Sequence, residues 1–487
     1  MRYLARRYGE YFGFRVPNVL STGSLPFRGQ ELENRIKDIY LEGNVVVINR
    51  INKLNTRALI ETVVQLRKRF PKELIYLPGF GLPNDYPILF YIGVDLLDDS
   101  PLRLLGDDQC TGEFGLYKGE GCRERNDAEK GRVLELVDIA LRNDRFRELV
   151  ETHSFSNFSK EALRIMDMEF YPYMERFMDL RPKKIVASSV EGIYRPEVVN
   201  YRERVKGMRQ TSENLLLIPC SAIKPYSDSK THRILRSFIH PYLDGLQEVI
   251  VTSPLGLVPR ELESFFPAMY YDIPVTGYWF QEEKRILREI SAEFFKGKKY
   301  SNVFYILPKE ESEILDLLEE PEGIIGNLNA ENSERISTIL GKHGIKGDRK
   351  KKTAVESSNL IKFNYGMDIE PDELFTKKEG NRSIVLLNGM PILIKTVSGL
   401  KMTKAFGEML LSAGKRIVET EGVFKGDNLF IPGVRKISED VRPGMEVALV
   451  KEGSVVGRGI SQISDIDLEF EKKGAGVTDI TYFEDRG

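Results

Sequence analysis

Between residues 212 and 330 short apolar runs alternate with amphipathic stretches, and this alternation constrains the fold more than any other feature. Leu215-Leu216-Leu217-Ile218 reads as a short buried strand, and Ser229 to Tyr242 as a helix. Glu248 to Thr252 is the next strand, Glu282 to Phe295 the next helix, Asn302 to Leu307 a third strand, and Glu310 to Leu318 a further helix. Strands spaced by helices cannot pair as tight hairpins. They need crossovers, which implies a mostly parallel, doubly wound sheet with helices on both faces.

The flanking regions differ. In 1–205, Asn44 to Ile48 and Ile88 to Val94 are strand-like, while Val133 to Arg142 and Phe146 to Glu151 have helical spacing. That mixture suggests a second α/β unit. In 412–487 short β runs are broken by glycine: Gly422-Val423-Phe424, Asn428 to Ile431, Glu446 to Val450 and Ser454 to Gly459. They read as a small β-barrel. The run GKHGIKGDRKKK at 341–352 reads as a linker or exposed loop. A second basic cluster, Arg202, Arg204, Lys206 and Arg209, precedes the first core strand. Taking both as boundaries gives four segments: 1–205, 206–345, 355–411 and 412–487. A chain of 487 residues has room for them at roughly 150 residues per domain.

Composition removes several classes. No stretch approaches the roughly 18 apolar residues of a spanning helix, and the start, MRYLARR, lacks the apolar run of a signal peptide. A cytoplasmic protein is expected. Cys110, Cys122 and Cys220 cannot build a disulfide framework and are expected as reduced thiols. They do not form the close trio that a radical-generating iron–sulfur cluster needs. No phosphate loop or dinucleotide fingerprint supports use of ATP or NAD. Basic residues number 71 and acidic ones 73, so any contact with nucleic acid must come from a local face.

The densest chemistry follows the first core strand, in Pro219-Cys220-Ser221-Ala222-Ile223-Lys224-Pro225-Tyr226-Ser227-Asp228-Ser229-Lys230-Thr231-His232. Ligands of open α/β sheets bind beyond the carboxyl ends of the strands. Ser229 suits an N-cap and would aim free N–H groups at the loop. A cation and a helix N-terminus lower a thiol's pKa, and a histidine moves protons near neutrality. Singly, such a cysteine is more often a small buried hydrophobe and such a lysine a solvated group. On one loop stiffened by proline they make a candidate catalytic set: Cys220, Lys224, Tyr226, Ser229 and His232. Two further segments fall on the same rim or near it, Ser253 to Glu263 and Tyr271 to Trp279, the latter with the chain's one tryptophan. Turn formation and packing would account for both equally well.

The loop resembles the signature PC-X3-KPY-X2-S-X2-H of the alpha-type archaeosine synthases, relatives of tRNA-guanine transglycosylase. Pro219, Cys220, Lys224, Pro225, Tyr226, Ser229 and His232 meet every fixed position. SPLGLVPRELE (253–263) and YDIPVTGYW (271–279) look like the same family. Gly93 to Ser100 looks like a transglycosylase relic. KGDNLFIPGV (425–434), RPGMEV (442–447) and VVGRG (455–459) resemble a PUA domain, an RNA-binding pseudo-barrel, and 355–411 look like the small α/β domain before it. The first 205 residues are too few for a (β/α)8 barrel of about 250, so a truncated transglycosylase-like domain is expected, without a recognisable catalytic aspartate. Of the relatives' zinc ligands only Cys110, Cys122 and His153 remain, short of the four a structural site takes. No cofactor is expected, with zinc the one alternative.

The resemblance implies a substrate, tRNA carrying 7-cyano-7-deazaguanine at position fifteen, and an amine added to its nitrile. The donor is free lysine, with glutamine or ammonia as alternatives, and a radical-SAM partner completes the pathway. Either Cys220 attacks the nitrile to give a thioimidate that the amine displaces, with Lys224 holding the thiolate and His232 moving protons, or the amine attacks directly. Ser221, Arg260, Glu261 and Trp279 are candidate substrate binders, with Glu263 beside them. Arg202, Arg204, Lys350, Lys351, Lys425, Arg435 and Lys436 are candidates for RNA contact, with Arg442 and Arg458. The architecture implies a homodimer or a complex with the radical partner. A non-catalytic tRNA-binding scaffold and a residual base-exchange enzyme are the rival readings.

Overall fold

The computed structural model describes residues 9–11, 14–21, 39–49, 54–187, 189–274, 277–380, 382–396, 399–421 and 426–483. The chain divides into two compact units, 1–179 with 465–474, and 180–464 with 475–487. Among the described residues no helix is long and apolar enough to cross a membrane.

The first unit holds a five-stranded sheet in the spatial order Asn18–Leu20, Leu96–Asp98, Leu74–Leu77, Val45–Ile48, Ile39–Glu42. The first four strands are parallel and the last pair is antiparallel. The order has two free edges, so the described strands close no barrel. Residues 88–94, expected as a strand, belong instead to the helix Tyr86–Ile92, every residue of which is buried. Pro87 in its first turn starts the helix, and burial on all sides hides the periodicity that would have marked it. Arg147 is wholly buried and held by Asp167 through two bonds of 2.6 Å, by Glu151 at 2.7 Å and by the Tyr91 hydroxyl.

The three aspartates of the Gly93–Ser100 relic are likewise committed. Asp95 pairs with Arg67. Asp98 accepts from Gly79 N–H, Ser100 N–H and Tyr76 hydroxyl. Asp99 pairs with Arg103 and Lys130. Cys110 and Cys122 form a disulfide that ties the hairpin Gln109–Gly112/Gly115–Lys118 to the helix Cys122–Arg142. This overturns the expectation of three reduced thiols. It also removes both thiolates from the zinc set Cys110, Cys122, His153.

The second unit starts at residue 180 and includes the helix Pro196–Lys206, whose Val198, Tyr201 and Val205 lie in its main core. The boundary drawn at 205 therefore falls late, because that helix is packed here. The core strands are β1 (Asn214–Pro219), β2 (Leu246–Thr252), β3 (Gly256–Pro259), β4 (Asn302–Leu307) and β5 (Glu322–Ile325). They stand in the order β3-β2-β1-β4-β5, parallel except for the β2–β3 hairpin. Every residue of β1 and β2 is buried, as a sheet covered on both faces requires. The helices are α1 (Lys230–Ile239), α2 (Gln281–Phe295), α3 (Ala330–Lys342) and α4 (Arg349–Tyr365). The expected helix at 310–318 is a 3₁₀ segment, Lys309–Leu317.

Of the linker or exposed loop expected at 341–352, the structure has the exposed loop, at 343–348 between α3 and α4, while Lys352 Nζ ties α4 down by donating to the carbonyls of Leu243 at 2.7 Å and Leu246 at 2.5 Å. Leu360 and Phe363 of α4 join the parallel-sheet core, while Ala354, Ile361 and Tyr365 join a second core. That second core lies under the antiparallel sheet Leu374–Glu379, Arg382–Leu387, Met390–Thr396, Gly399–Met402 and the helix Lys404–Ser412. The C-terminal segment forms a six-stranded barrel-like sheet from Ile417–Thr420 to Ala475–Tyr482.

Gly444 has φ +92°, and a Cβ there would meet Arg181 N at 2.3 Å and Leu180 C at 2.5 Å. Both the left-handed backbone and the close approach exclude a side chain. Gly444→Ala is expected to lower unfolding stability by about 2 kcal/mol or more, read from the denaturant midpoint. An unchanged midpoint would remove this constraint.

Candidate active site at the carboxyl ends of the core strands

β1 ends at Pro219, and the next residue, Cys220, donates its N–H to Val251 O on β2 at 3.1 Å. The thiol is thereby fixed beside Thr252, the last residue of β2. Burial pushes the thiol's pKa up, and Glu311 adds to the rise, while Thr252 and Lys224 oppose it. The expected activation by cation and helix end is thus outweighed by desolvation. Lys224 Nζ sits 3.9 Å from the Tyr271 ring centroid. Its own pKa is lowered by burial, against the pull of Cys220 and Asp272.

Tyr226 is fully buried, and its hydroxyl lies 2.7 Å from that of Tyr271, which lies 2.5 Å from Thr252 Oγ1. Thr252 donates onward to Ser253 O at 3.1 Å. A line of hydroxyls therefore runs from the loop to the strand beneath the thiol. Ser229 caps α1, accepting from His232 N–H at 3.3 Å, so its part is to start the helix.

His232 is fully buried and stacks on Tyr226 with ring centroids 5.8 Å apart. Arg260 Nη2 donates to its Nδ1 at 3.1 Å, since a guanidinium has no acceptor. The proton of the neutral ring must then sit on Nε2, which donates to Pro219 O at 3.1 Å. Both nitrogens are used, and burial followed by the Arg260 charge brings the pKa down to about 4. His232 is held neutral, so the sequence-based role of proton carrier at neutral pH does not fit its place. It anchors α1 to the end of β1.

Arg260 does not wait for a substrate carboxylate either. Its Nε and Nη2 donate to Glu248 Oε1 at 3.2 and 2.9 Å, and its Nη1 to Glu263 Oε2 at 2.8 Å. Glu263 Oε2 also accepts Ser227 N–H at 3.0 Å, and Glu248 Oε2 accepts Arg236 at 2.8 Å. Glu261 faces the other way, taking Asn359 Nδ2 at 3.0 Å, with its pKa raised by burial and by Glu356. Ser221 Oγ donates to Ile223 O at 2.9 Å on the rim. Trp279 packs against the core, flanked by the exposed Tyr278 and Phe280.

The residues expected to meet RNA divide by environment. Arg202 is buried and donates to Ile193 O. Arg204 lies over the Phe363 ring at 4.1 Å and donates to its carbonyl. Lys206 and Arg209 pair with Glu203 and with Asp368 and Glu370. The cluster at 202–209 therefore serves packing, and its charge does not form the expected basic face. Lys350 and Lys351 are exposed in the first turn of α4. Arg435 and Lys436 are exposed on the strand Val434–Ile437, with Glu421 3.1 Å from Arg435. Arg442 is buried on the carbonyls of Glu439 and Val441, and Arg458 is tied to Glu446 and Thr481. Lys425 lies outside the described residues.

Sequence reading missed Thr252, Glu248 and Glu311. The first two end or line β2, where strand position was the available signal. Glu311 follows β4 by four positions in an acidic run that reads as a solvated helix face.

Residues 198–338 match a family described as a domain of unknown function (DUF5591), and residues 419–478 match the PUA domain. The chain is 26% identical over 504 residues to archaeosine synthase subunit alpha of Thermoplasma acidophilum, covering 97% of each. It is 29% identical over 466 residues to archaeosine synthase of Methanocaldococcus jannaschii, covering 90% of this chain and 79% of that one. It is 22% identical over 500 residues to tRNA-guanine(15) transglycosylase of the same organism, covering 90% of this chain and 70% of that one.

The His232 arrangement has a measurable consequence. Its folded pKa lies below the unfolded value, so the stability it contributes is present above pH 6.5 and is lost as pH falls through about 4. The full loss is about 3 kcal/mol. Denaturant midpoints taken from pH 7 to 4 are expected to fall more steeply for wild type than for His232→Gln. Parallel curves would contradict the assigned environment.

Proposed function

We propose, starting from this chain's homology with the archaeosine synthases, that it is a tRNA-modifying transferase of archaeosine biosynthesis. Its substrate is tRNA carrying 7-cyano-7-deazaguanine at position fifteen, and the group it adds to the nitrile is an amine, free lysine. The observation that carries this reading is the Cys220–Lys224 pair, held in a half-covered site at the strand ends above a line of hydroxyls.

The geometry favours the covalent route with one change of cast. The Cys220 thiol and the Lys224 amine are both shifted toward their neutral forms by burial. Lys224 can then take the thiol proton as sulfur attacks the nitrile carbon, and return it to the nitrile nitrogen as the thioimidate forms. The amine displaces the sulfur and leaves an amidine. His232 and Arg260 hold the loop in shape and take no proton in these steps.

The target base belongs to a folded tRNA and must leave its stack to be reached. Lys350, Lys351, Arg435 and Lys436 are exposed cations suited to phosphate contact, and the PUA domain adds recognition by shape. The "subunit alpha" in the names of three relatives supports a separate partner for the later step, and the reaction belongs in the cytoplasm with its tRNA.

Purified chain, tRNA bearing the nitrile base and radiolabelled lysine test this reading. Label should enter tRNA, and Cys220→Ala should lower the rate by at least about 100-fold. Full activity of that variant removes the covalent route. No label with lysine, glutamine or ammonia favours the scaffold reading, and exchange of labelled guanine favours base exchange. Replacing Lys350 and Lys351 by alanine should weaken tRNA binding and reduce the salt slope by about 1 for each phosphate no longer bound; an unchanged slope would clear this face of RNA contact.

A further inference from the structure

We propose that Glu311 takes a proton from the incoming ammonium at this site, so that the amine becomes a nucleophile. This rests on the transferase reading above and adds a residue to it. β1 and β4 are adjacent parallel strands, Leu217 lying against Tyr305. The chain leaves them in opposite directions, from β1 to β2 on one side and from β4 to β5 on the other. Where neighbouring connections diverge, a parallel sheet opens a crevice beyond its carboxyl ends. Cys220 stands on the β1 lip. Glu311 stands on the β4 lip, just past Leu307 and Pro308, and its charge acts on the Cys220 thiol.

Glu311 is 6% exposed, and its Oε2 is buried with no hydrogen-bond partner among the described residues. Its acidic neighbours are occupied. Lys284 on α2 holds Glu310 at 2.6 Å and Glu313 at 3.1 Å, and Arg288 faces Asp316 at 3.7 Å. A buried carboxylate oxygen left without a donor costs stability, and such costs concentrate where a group is needed for chemistry. Burial pushes the Glu311 carboxyl up to about 8, a value from which a proton is taken and released near neutrality. Of the titratable groups, the Cys220 thiol at the end of β1 feels its charge, while Lys284 and Arg288 on the packed helix α2 are taken by Glu310, Glu313 and Asp316.

The step balances. The amine arrives as an ammonium, and the Glu311 carboxylate takes one N–H proton. The freed lone pair forms the C–N bond at the thioimidate carbon, and the C–S pair leaves with Cys220. The new nitrogen gives its extra proton to the departing sulfur, which restores the thiol. The Glu311 carboxyl releases its proton to solvent and is ready again.

Glu311→Gln keeps the shape and removes the charge. In the labelled-lysine assay the variant should lose about 100-fold or more in turnover at pH 7, with tRNA binding unchanged. The acid limb of the wild-type pH–rate profile should disappear. Glu311→Asp should keep that limb at reduced rate. Because the folded pKa is raised, ionising Glu311 withdraws stability as pH rises from about 4.5 to about 8. Glu311→Gln should therefore melt no lower than wild type at pH 8, which separates lost chemistry from lost folding. A Glu311→Gln chain with wild-type turnover overturns the proposal, and so does one that is slower with an unchanged pH profile. A wild-type chain that incorporates no amine overturns the functional reading, and the proposal falls with it. An active wild type beside an equally active Glu311→Gln variant overturns the proposal alone.

Discussion

The buried guanidinium of Arg260 is the interaction on which the site depends. It joins Glu248 on β2, Glu263 beyond β3 and His232 on α1, and through Glu263 it fixes the Ser227 backbone. A charge placed here without its two carboxylates would cost several kcal/mol. With them, the pair is roughly neutral for stability but demands one geometry. Three successive elements are therefore locked into one arrangement, and the loop from Cys220 to Ser229 is strung across it.

This division of labour explains which polar groups remain for chemistry. Ser229, His232, Arg260 and Glu263 direct their hydrogen bonds to each other and to the backbone. The Cys220 thiol instead meets Thr252, Lys224 rests on the Tyr271 ring, and Glu311 Oε2 has no partner among the described residues. All three are partly or wholly desolvated, and all three shift toward the neutral form. A site built so holds its protons loosely while its frame holds them tightly, which suits addition to a nitrile, where protons must follow nitrogen and sulfur through the reaction.

The parallel core was legible because strand and helix alternate at a spacing with few alternatives. Asn302–Leu307 has the bounds that its apolar run predicts. The helix Tyr86–Ile92 was not legible, since a segment buried on every side shows no period. The chemistry-bearing loop was visible as a string, but the split between frame and reactants was not. His232 and Lys224 look equally reactive in sequence, and only their partners separate them. Arg202 and Arg204 mislead for the same reason: a basic cluster reads as a solvated face until its carbonyl and ring partners are known. Glu311 was hidden among acidic neighbours of the same kind. The pairing of Cys110 with Cys122 depended on a hairpin turning back onto a helix, which residue counts cannot show.

One helix bears on how such a chain can change over time. α4 gives Leu360 and Phe363 to the parallel-sheet core and Ile361 and Tyr365 to the core of the antiparallel sheet. Neighbouring residues on a single helix thus answer to two hydrophobic interiors. The two halves cannot be traded between genes as independent modules, because any new partner would have to accept one face of α4 while leaving the other intact. Recombination at this point would be selected against, and the two halves would be inherited as one piece.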